Sequence, residues 1–302
     1  MTIADKQSLA VDKVRTMDEA VELVADGDVL GIHGTSVQGS PMAFFRQLIR
    51  ARRRRLHIVT LGGSMGVDWL AATGSLARCT FCVISLERFG LCRSFRHGVE
   101  SGAIAAEELA ETAFYARLEA QARGLPFLPT QGMIGTDLLE VGNDNIELID
   151  DPFDGKPVVA CKALRLDVAV VHAHRADRFG NVAIDPSVRY PTMTLMPQAA
   201  DRVIITAEEI VPTDELRRAP DRTVIPGFAV DAVVPVRFGA HPTSLFPQYT
   251  YDAAMHEEWA GVRSRSAIDE FLADNVYRHA SHDDYLGAMG PARLTKLTEE
   301  RR

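Results

Sequence analysis

Cysteine is scarce, four in 302 residues, too few for a disulfide framework. Cys79 and Cys82 form a Cys-x-x-Cys, but within RCTFCVISL, which reads as a strand. Residues three apart on a strand face opposite sides, so neither a shared metal nor a disulfide is expected there. No run of about 18 apolar residues occurs, so nothing reads as a membrane span. The opening stretch, MTIADKQSLAVDKVR, is charged throughout and has no apolar core, unlike a secretory leader. The chain is accordingly expected in the cytoplasm with reduced thiols. Basic charge is in deficit: 33 Lys plus Arg face 41 Asp plus Glu, a net charge of −8. An acidic surface repels phosphate backbones, so no nucleic-acid partner is expected. The basic run from Arg50 to Arg55 follows a helical pattern and reads as a solvated helix end, where cations complement the carbonyl dipole. No internal repeat and no low-complexity linker is present.

What is there is ordinary for a folded protein: 46% hydrophobic and 25% charged residues. The length allows one large α/β domain or two small ones. Thr16 and Glu19 have capping-box spacing and open a helix over 17–25. DVLGI (28–32) reads as a buried strand, followed by the glycine-bearing loop HGTSVQGS. Pro41 then suits a first helical position, with Ser40 as cap, for the helix PMAFFRQLIR. Strand LHIVTL (56–61), a short helix containing Trp69, and strand 79–86 come next. Strand and helix patterns continue to alternate through 125–129, 158–164, 167–173 and 202–207. This predicts an α/β fold with an open, largely parallel sheet flanked by helices. From 251 the pattern turns purely helical, over 251–262, 265–278 and a last helix after Ser281 with Asp284 at its capping-box position. The expected division is an α/β domain over 8–250, a helical extension over 251–290 packed on it or on a partner, and a frayed tail over 291–302.

Three constellations carry candidate chemistry. The loop from Gly31 to Pro41, with His33, Gly34, Thr35 and Gly39, joins a strand to a helix N-terminus, a geometry that presents backbone N–H groups to an anion or an oxyanion. HGTSVQG is neither GxGxxG nor a P-loop, and spacing alone fits a plain tight turn equally well. His172 and His174 share a strand face, with Asp177 following. They fit metal ligands, and better a polar strand end entering the turn DRFGN; no metal site is expected. Glu100, Glu107, Glu108 and Glu111 cluster, and Glu208-Glu209 follow an apolar strand. Such carboxylates are either solvated or, held in a cleft, act as nucleophile or general base.

Several dispersed segments resemble the α subunit of family I coenzyme A transferases, the glutaconate CoA-transferase type especially. That family's signature runs Asp-Gly, two residues, three apolar residues, Gly-Gly-Phe, three residues, Gly-x-Pro. Asp26-Gly27, Gly34, Gly39 and Pro41 keep its register, while His33 stands at the first Gly of Gly-Gly-Phe and Thr35 replaces the Phe. FRHGVESGAI (95–104), GLPFLPTQGMIGTD (124–137), ALRLDVAVVHAHRADRFGNV (163–182), RVIITAEEIV (202–211), VIPGFAVDAVV (224–234) and GAHPTS (239–244) extend the likeness to residues 15–285. The PMAF, SGAI, LPFLP and RLD…GN segments are also similar to the α subunit of actinobacterial steroid ring-opening CoA hydrolases, although the Gly-Trp-Gly of their first loop is absent.

The resemblance implies an acyl-CoA transferase subunit with a coenzyme A thioester as substrate and no tightly bound cofactor. The family's nucleophilic glutamate lies in a Ser-x-Glu-Asn-Gly-like motif of the β half, and no Glu here precedes Asn-Gly. A separately encoded β subunit is therefore implied, commonly in an α2β2 heterotetramer. Glu111 falls where transferase α chains have an active-site Gln or Glu, with Glu108 in reserve as one helical turn away. Under the hydrolase resemblance Glu111 would activate water. The altered His33-Gly34-Thr35 also leaves room for a non-catalytic CoA-ligand-binding scaffold. Loop 182–195 is expected to shape the acyl pocket, where Arg189 either pairs with a substrate carboxylate or is simply solvated.

Overall fold

A computed structural model describes residues 11–141 and 143–300 of the chain. Residues 8–10 of the expected domain and Arg301-Arg302 of the expected tail lie outside them. Helix α1 (Met17–Glu22) opens on the predicted box: Thr16 Oγ1 accepts the Glu19 N–H, and Glu19 Oε2 accepts the Thr16 N–H at 2.8 Å. Strand β1 (Val29–Ile32) and helix α2 (Met42–Arg50) follow, with Pro41 itself in the cap position and no side-chain cap bond from Ser40. Next are β2 (Leu56–Gly63), α3 (Met65–Ala72), β3 (Leu76–Ile84), α4 (Arg93–Glu100), β4 (Ala105–Glu108) and α5 (Glu111–Ala122). Strands β5 (Phe127–Thr130), β6 (Ile146–Asp150) and β7 (Pro157–Lys162) pair antiparallel as a separate three-stranded sheet, order β5-β7-β6. That corrects the expectation that 125–129 and 158–164 continue the parallel series.

The chain returns to the main sheet with β8 (Leu166–Ala176), β9 (Val182–Ala183), α6 (Thr192–Ala199), β10 (Ala200–Ile210), α7 (Thr213–Arg217), β11 (Thr223–Ile225) and β12 (Ala232–Pro235). Strands β12-β10-β8-β1-β2-β3-β4 run parallel in that spatial order, and β9 with β11 adds an antiparallel corner. From β1 the chain winds outward through β2, β3 and β4, then resumes on the other side of β1 with β8, β10 and β12. Strand order thus reverses at the β1–β8 boundary. In open α/β sheets, crevices at the carboxyl ends beside such a reversal are where ligands bind.

Strand alternation sets the two layers. Val168, Val170 and Ile204 join one core with Phe44, Phe45, Trp69 and Trp259; Ala169, Val171, Val203 and Ile205 join the other with Phe114, Leu118 and Met196. Cys79 packs in the first core and Cys82 against the second, so the Cys-x-x-Cys does point to opposite faces, and both thiols are free.

The C-terminal helices α8 (Ala253–Gly261), α9 (Arg265–Leu272), α10 (His282–Met289) and α11 (Pro291–Glu299) pack on this same chain. Trp259 meets Trp69 edge-on at 6.2 Å, and the Arg46 guanidinium lies 3.7 Å above the Tyr285 ring. Ser281 and Asp284 form the expected capping box of α10, and residues 273–277 widen the end of α9 into a π turn. The frayed tail is not found over Pro291–Glu299: Arg293 Nε bonds Asp252 at 2.6 Å and Leu297 is buried. Among the described residues no helix is long and apolar enough to cross a membrane.

Candidate active site

The loop after β1 lies at the sheet's carboxyl edge, next to the reversal. The N–H of Thr35 bonds the Gln38 carbonyl at 2.9 Å and that of Gln38 returns to Thr35 O at 2.7 Å, closing a tight turn with Ser36 at φ 42°. Gly34 has φ 146°, and a Cβ on it would stand 2.9 Å from Ser40 Cα, so the backbone folds back where only glycine fits. Gly39, at φ 69°, is likewise left-handed. Gly31 does not belong to this loop: it is inside β1, where a Cβ would meet Leu166 Cδ1 at 2.4 Å. Its part is close strand packing.

Most N–H groups of the loop are already engaged. Those of His33, Thr35, Ser36, Gln38 and Gly39 bond Val170, Gln38, Gly62, Thr35 and Ser244 carbonyls respectively. Those of Gly34, Val37 and Ser40 have no partner among the described residues, so any oxyanion donor from this loop comes from these three and not from the whole turn.

Segment 238–249 braces the loop from behind. Ser244 donates from its N–H to Val37 O and from Oγ to Val37 O, and Gln38 Oε1 accepts the Phe246 N–H at 3.4 Å. This segment hangs in turn on Glu208, at the end of β10, whose side chain is 9% exposed. Glu208 accepts from the Phe238 N–H (2.6 Å), the Gly239 N–H (3.0 Å) and the Tyr249 hydroxyl (2.6 Å), and pairs with His172 Nε2 at 2.9 Å. Burial works to raise its pKa, but His172, Tyr249 and Phe238 outweigh it, and the carboxyl is held below its usual range. His174 Nε2 fixes Phe246 O at 2.9 Å. Asp177 does not join the histidines; it accepts from the N–H groups of Phe179 and Asn181 inside the turn. Among the described residues no three His, Cys, Asp or Glu gather as a metal site.

Glu111 is the first residue of α5, exposed, and its Oε1 accepts the Tyr115 hydroxyl at 2.8 Å. Burial and then Glu111 push the Tyr115 phenol up, with Cys82 and Tyr190 adding to it. The Cys82 thiol is pushed up to about 12 by burial, then by Glu111 and Glu108. Glu108 is not one helical turn from Glu111: it ends strand β4, in register with Phe81. It lines a groove of about 870 Å³ along the outer edge of β4, with Arg78, Cys82, Arg96, Glu107 and Asn145, whereas Glu111 and His33 are not in that lining. Glu107 is structural. It bonds Arg117 Nη1 at 2.7 Å and Asn145 Nδ2 at 2.9 Å, joining β4 to α5.

His33 is buried, with Nδ1 2.9 Å from Thr192 Oγ1 and its ring 6.2 Å from that of Tyr190. Burial drives the imidazole down to about 3, with His172 contributing, so the ring is neutral at physiological pH. Arg189 is exposed, and its Nη2 bonds the carbonyls of Ile184 (3.2 Å) and Asp221 (2.7 Å). Tyr190 and Thr192 are the residues of loop 182–195 that meet His33. Tyr190, Thr192, Tyr115 and the Glu208 network escaped the reading of the sequence. Only the polar residues ending apolar strands at 172–174 and 208 signalled the last of these.

The Coenzyme A transferase family pattern matches residues 14–235. One of the subunits of glutaconate CoA-transferase from Acidaminococcus fermentans is 31% identical over 95% of each chain. The chain belongs to the coenzyme A transferase family. The crystal structure of that glutaconate coenzyme A-transferase superimposes with a TM-score of 0.89 at 30% identity, covering 94% of this chain and 95% of the other. The IpdA chain of the cholesterol ring-cleaving hydrolase of Mycobacterium tuberculosis is 32% identical over 92% of this chain and 97% of its own. The CoA-transferase fold, the α-subunit character and an open, largely parallel sheet with C-terminal helices all agree with the sequence reading. Family members act on coenzyme A thioesters, and relatives that are themselves single subunits of larger enzymes imply a partner subunit.

Proposed function

We propose that this chain is the α subunit of a cytoplasmic acyl-CoA transferase, joined with a β subunit in an α2β2 assembly. The β subunit supplies a glutamate carboxylate that attacks the acyl-CoA carbonyl. The C–S bond breaks, leaving an acyl-glutamyl anhydride and CoA thiolate. The thiolate attacks the glutamyl carbonyl, forming a glutamyl-CoA thioester and releasing the first acid. A second acid reverses both steps. The covalent intermediate splits one difficult exchange into easier ones.

The observation that carries this reading is Glu111 with Tyr115, at the carboxyl edge of the sheet, in a chain with no Glu-Asn-Gly of its own. Glu111, aimed by Tyr115, orients the substrate carboxylate or the attacking group, and the N–H groups of Gly34, Val37 and Ser40 are the loop's available donors to the tetrahedral oxyanion. Glu108 keeps a flanking role, and Arg189 has Nε and Nη1 left to pair with a substrate carboxylate. Co-purified α and β subunits, assayed over a broad acyl-CoA panel, test this: CoA should appear on an added acid. Absence of both exchange and hydrolysis across the panel would overturn it.

A second reading is favoured by the exposed Glu111 carboxylate and the likeness to the ring-cleaving hydrolase. Glu111 would then take a proton from water that opens a cyclic β-keto thioester. CoA accounting separates the two: transfer moves CoA onto the added acid, whereas hydrolysis of a ring carbon–carbon bond proceeds without an added acid and leaves CoA on the opened product.

A further inference from the structure

His33 is a buried polar ring beside the loop for which the transfer chemistry has no use. It is 2% exposed, and Nδ1 is taken up by Thr192. Its Nε2 has no partner among the described residues and faces Gly39, where a Cβ would stand 3.7 Å away. The missing side chain at Gly39 keeps that nitrogen reachable. Tyr190, 38% exposed, continues the wall from His33 toward Tyr115 and Glu111. The result is a row with a carboxylate at one end, two phenol rings along it and one free imidazole nitrogen at the other.

We propose that His33 determines specificity, its Nε2 hydrogen-bonding an uncharged oxygen, oxo or hydroxyl, on the acyl chain. The inference rests on the transferase reading of this site. Of the described titratable groups only His172 acts electrostatically on the ring, so a second carboxylate at this point would be desolvated with no cation beside it, which is costly. An unsubstituted chain would leave Nε2 buried and unpaired, and sites built to hydrogen-bond an oxygen reject analogues lacking it far more strongly than apolar pockets reject a changed methylene. The Thr192 hydroxyl can donate or accept, so the tautomer decides between the two oxygens. Nε2–H serves oxo and hydroxyl alike, and a bare Nε2 serves hydroxyl alone.

The test uses the co-purified complex and a matched series of short and medium-chain acids, each in unsubstituted, hydroxy, oxo and dicarboxylic form. Calorimetric affinity and kcat/KM for accepting CoA are measured for wild type, His33→Gly and His33→Asn. Glycine occupies this position in the family signature, so His33→Gly suits the fold. In wild type an oxygenated acid should bind at least about tenfold tighter than its unsubstituted partner, the size of one good hydrogen bond. His33→Gly should remove that preference, and His33→Asn should restore part of it. A wild type that prefers the unsubstituted or dicarboxylic form, or a preference that survives in His33→Gly, overturns the inference. Absence of CoA transfer to every acid overturns the transferase reading instead, while the affinities still report on His33.

Discussion

The Glu111 carboxylate accepts the Tyr115 hydroxyl at 2.8 Å, one turn along α5. This hydrogen bond aims an exposed carboxylate without neutralising it, which suits a group that orients the reactants or takes a proton from water. Glu111→Ala should reduce thioester exchange by about 10- to 100-fold if Glu111 only orients the attacking group. It should abolish hydrolysis, where loss of a general base costs about 10²- to 10⁴-fold. Tyr115→Phe should cost less in either case. Steady-state kcat/KM on the complex separates these outcomes, and an unchanged rate for Glu111→Ala removes Glu111 from the site.

Gly34 folds the loop onto Ser40 at φ 146°. Gly34→Ala should destabilise the chain by about 1–3 kcal/mol through backbone strain and lower exchange further than stability alone explains, because the Gly34 N–H moves. Urea unfolding beside kinetics at saturating substrate checks both parts. A variant with wild-type stability would show that the turn tolerates a side chain.

Glu208 is the acceptor on which segment 238–249 hangs. Glu208→Ala leaves the Tyr249 hydroxyl and the N–H groups of Phe238 and Gly239 without their carboxylate, a loss of about 3–5 kcal/mol by analogy with broken buried pairs. Glu208→Gln retains one carbonyl acceptor and should cost less. Urea midpoints at constant m-value give the comparison; equal midpoints for all three proteins would contradict the bracing role.

Acid should weaken the fold from just below neutrality. Burial lowers His33 to about 3 and His241 to about 4, against an ordinary value of 6.5. Both folded values lie below the unfolded one, so the unfolded chain binds more protons in between. Their contribution is complete above pH 6.5 and is lost as pH falls toward 4 and then 3. Each ring adds a slope of up to about 1.4 kcal/mol per pH unit in that window. Urea unfolding at pH 5, 6 and 7 reads the slope, and a flat profile would show that these rings protonate freely in the folded chain.

The sheet, its alternation and most helix starts were legible in the sequence because they rest on local signals: apolar runs, Thr16 with Glu19, and Ser281 with Asp284. Gly34 and Gly39 were visible as loop glycines, but their distinct roles needed the φ angles and the approach of Ser40. Gly31 falls in the strand pattern DVLGI, but the close approach that requires glycine there is not legible, since its neighbour, Leu166, is far along the chain. Strands β5 to β7 carry the same apolar texture as parallel strands, and nothing local says that they leave the main sheet. Glu208 with His172, and His33 with Thr192, are contacts between distant segments, so residue type alone left them as ordinary polar positions. Glu108 was read as helical because the turn separating β4 from α5 is very short.

In the proposed reaction the covalent intermediate forms on a partner subunit while this chain shapes the site. Intact-mass spectrometry of the co-purified complex, after incubation with an acyl-CoA that it turns over, tests this most directly. A CoA adduct is expected on the β subunit, discharged by an added acid, and none on this chain. An adduct on this chain, or turnover to free CoA with no adduct on either subunit, would contradict it.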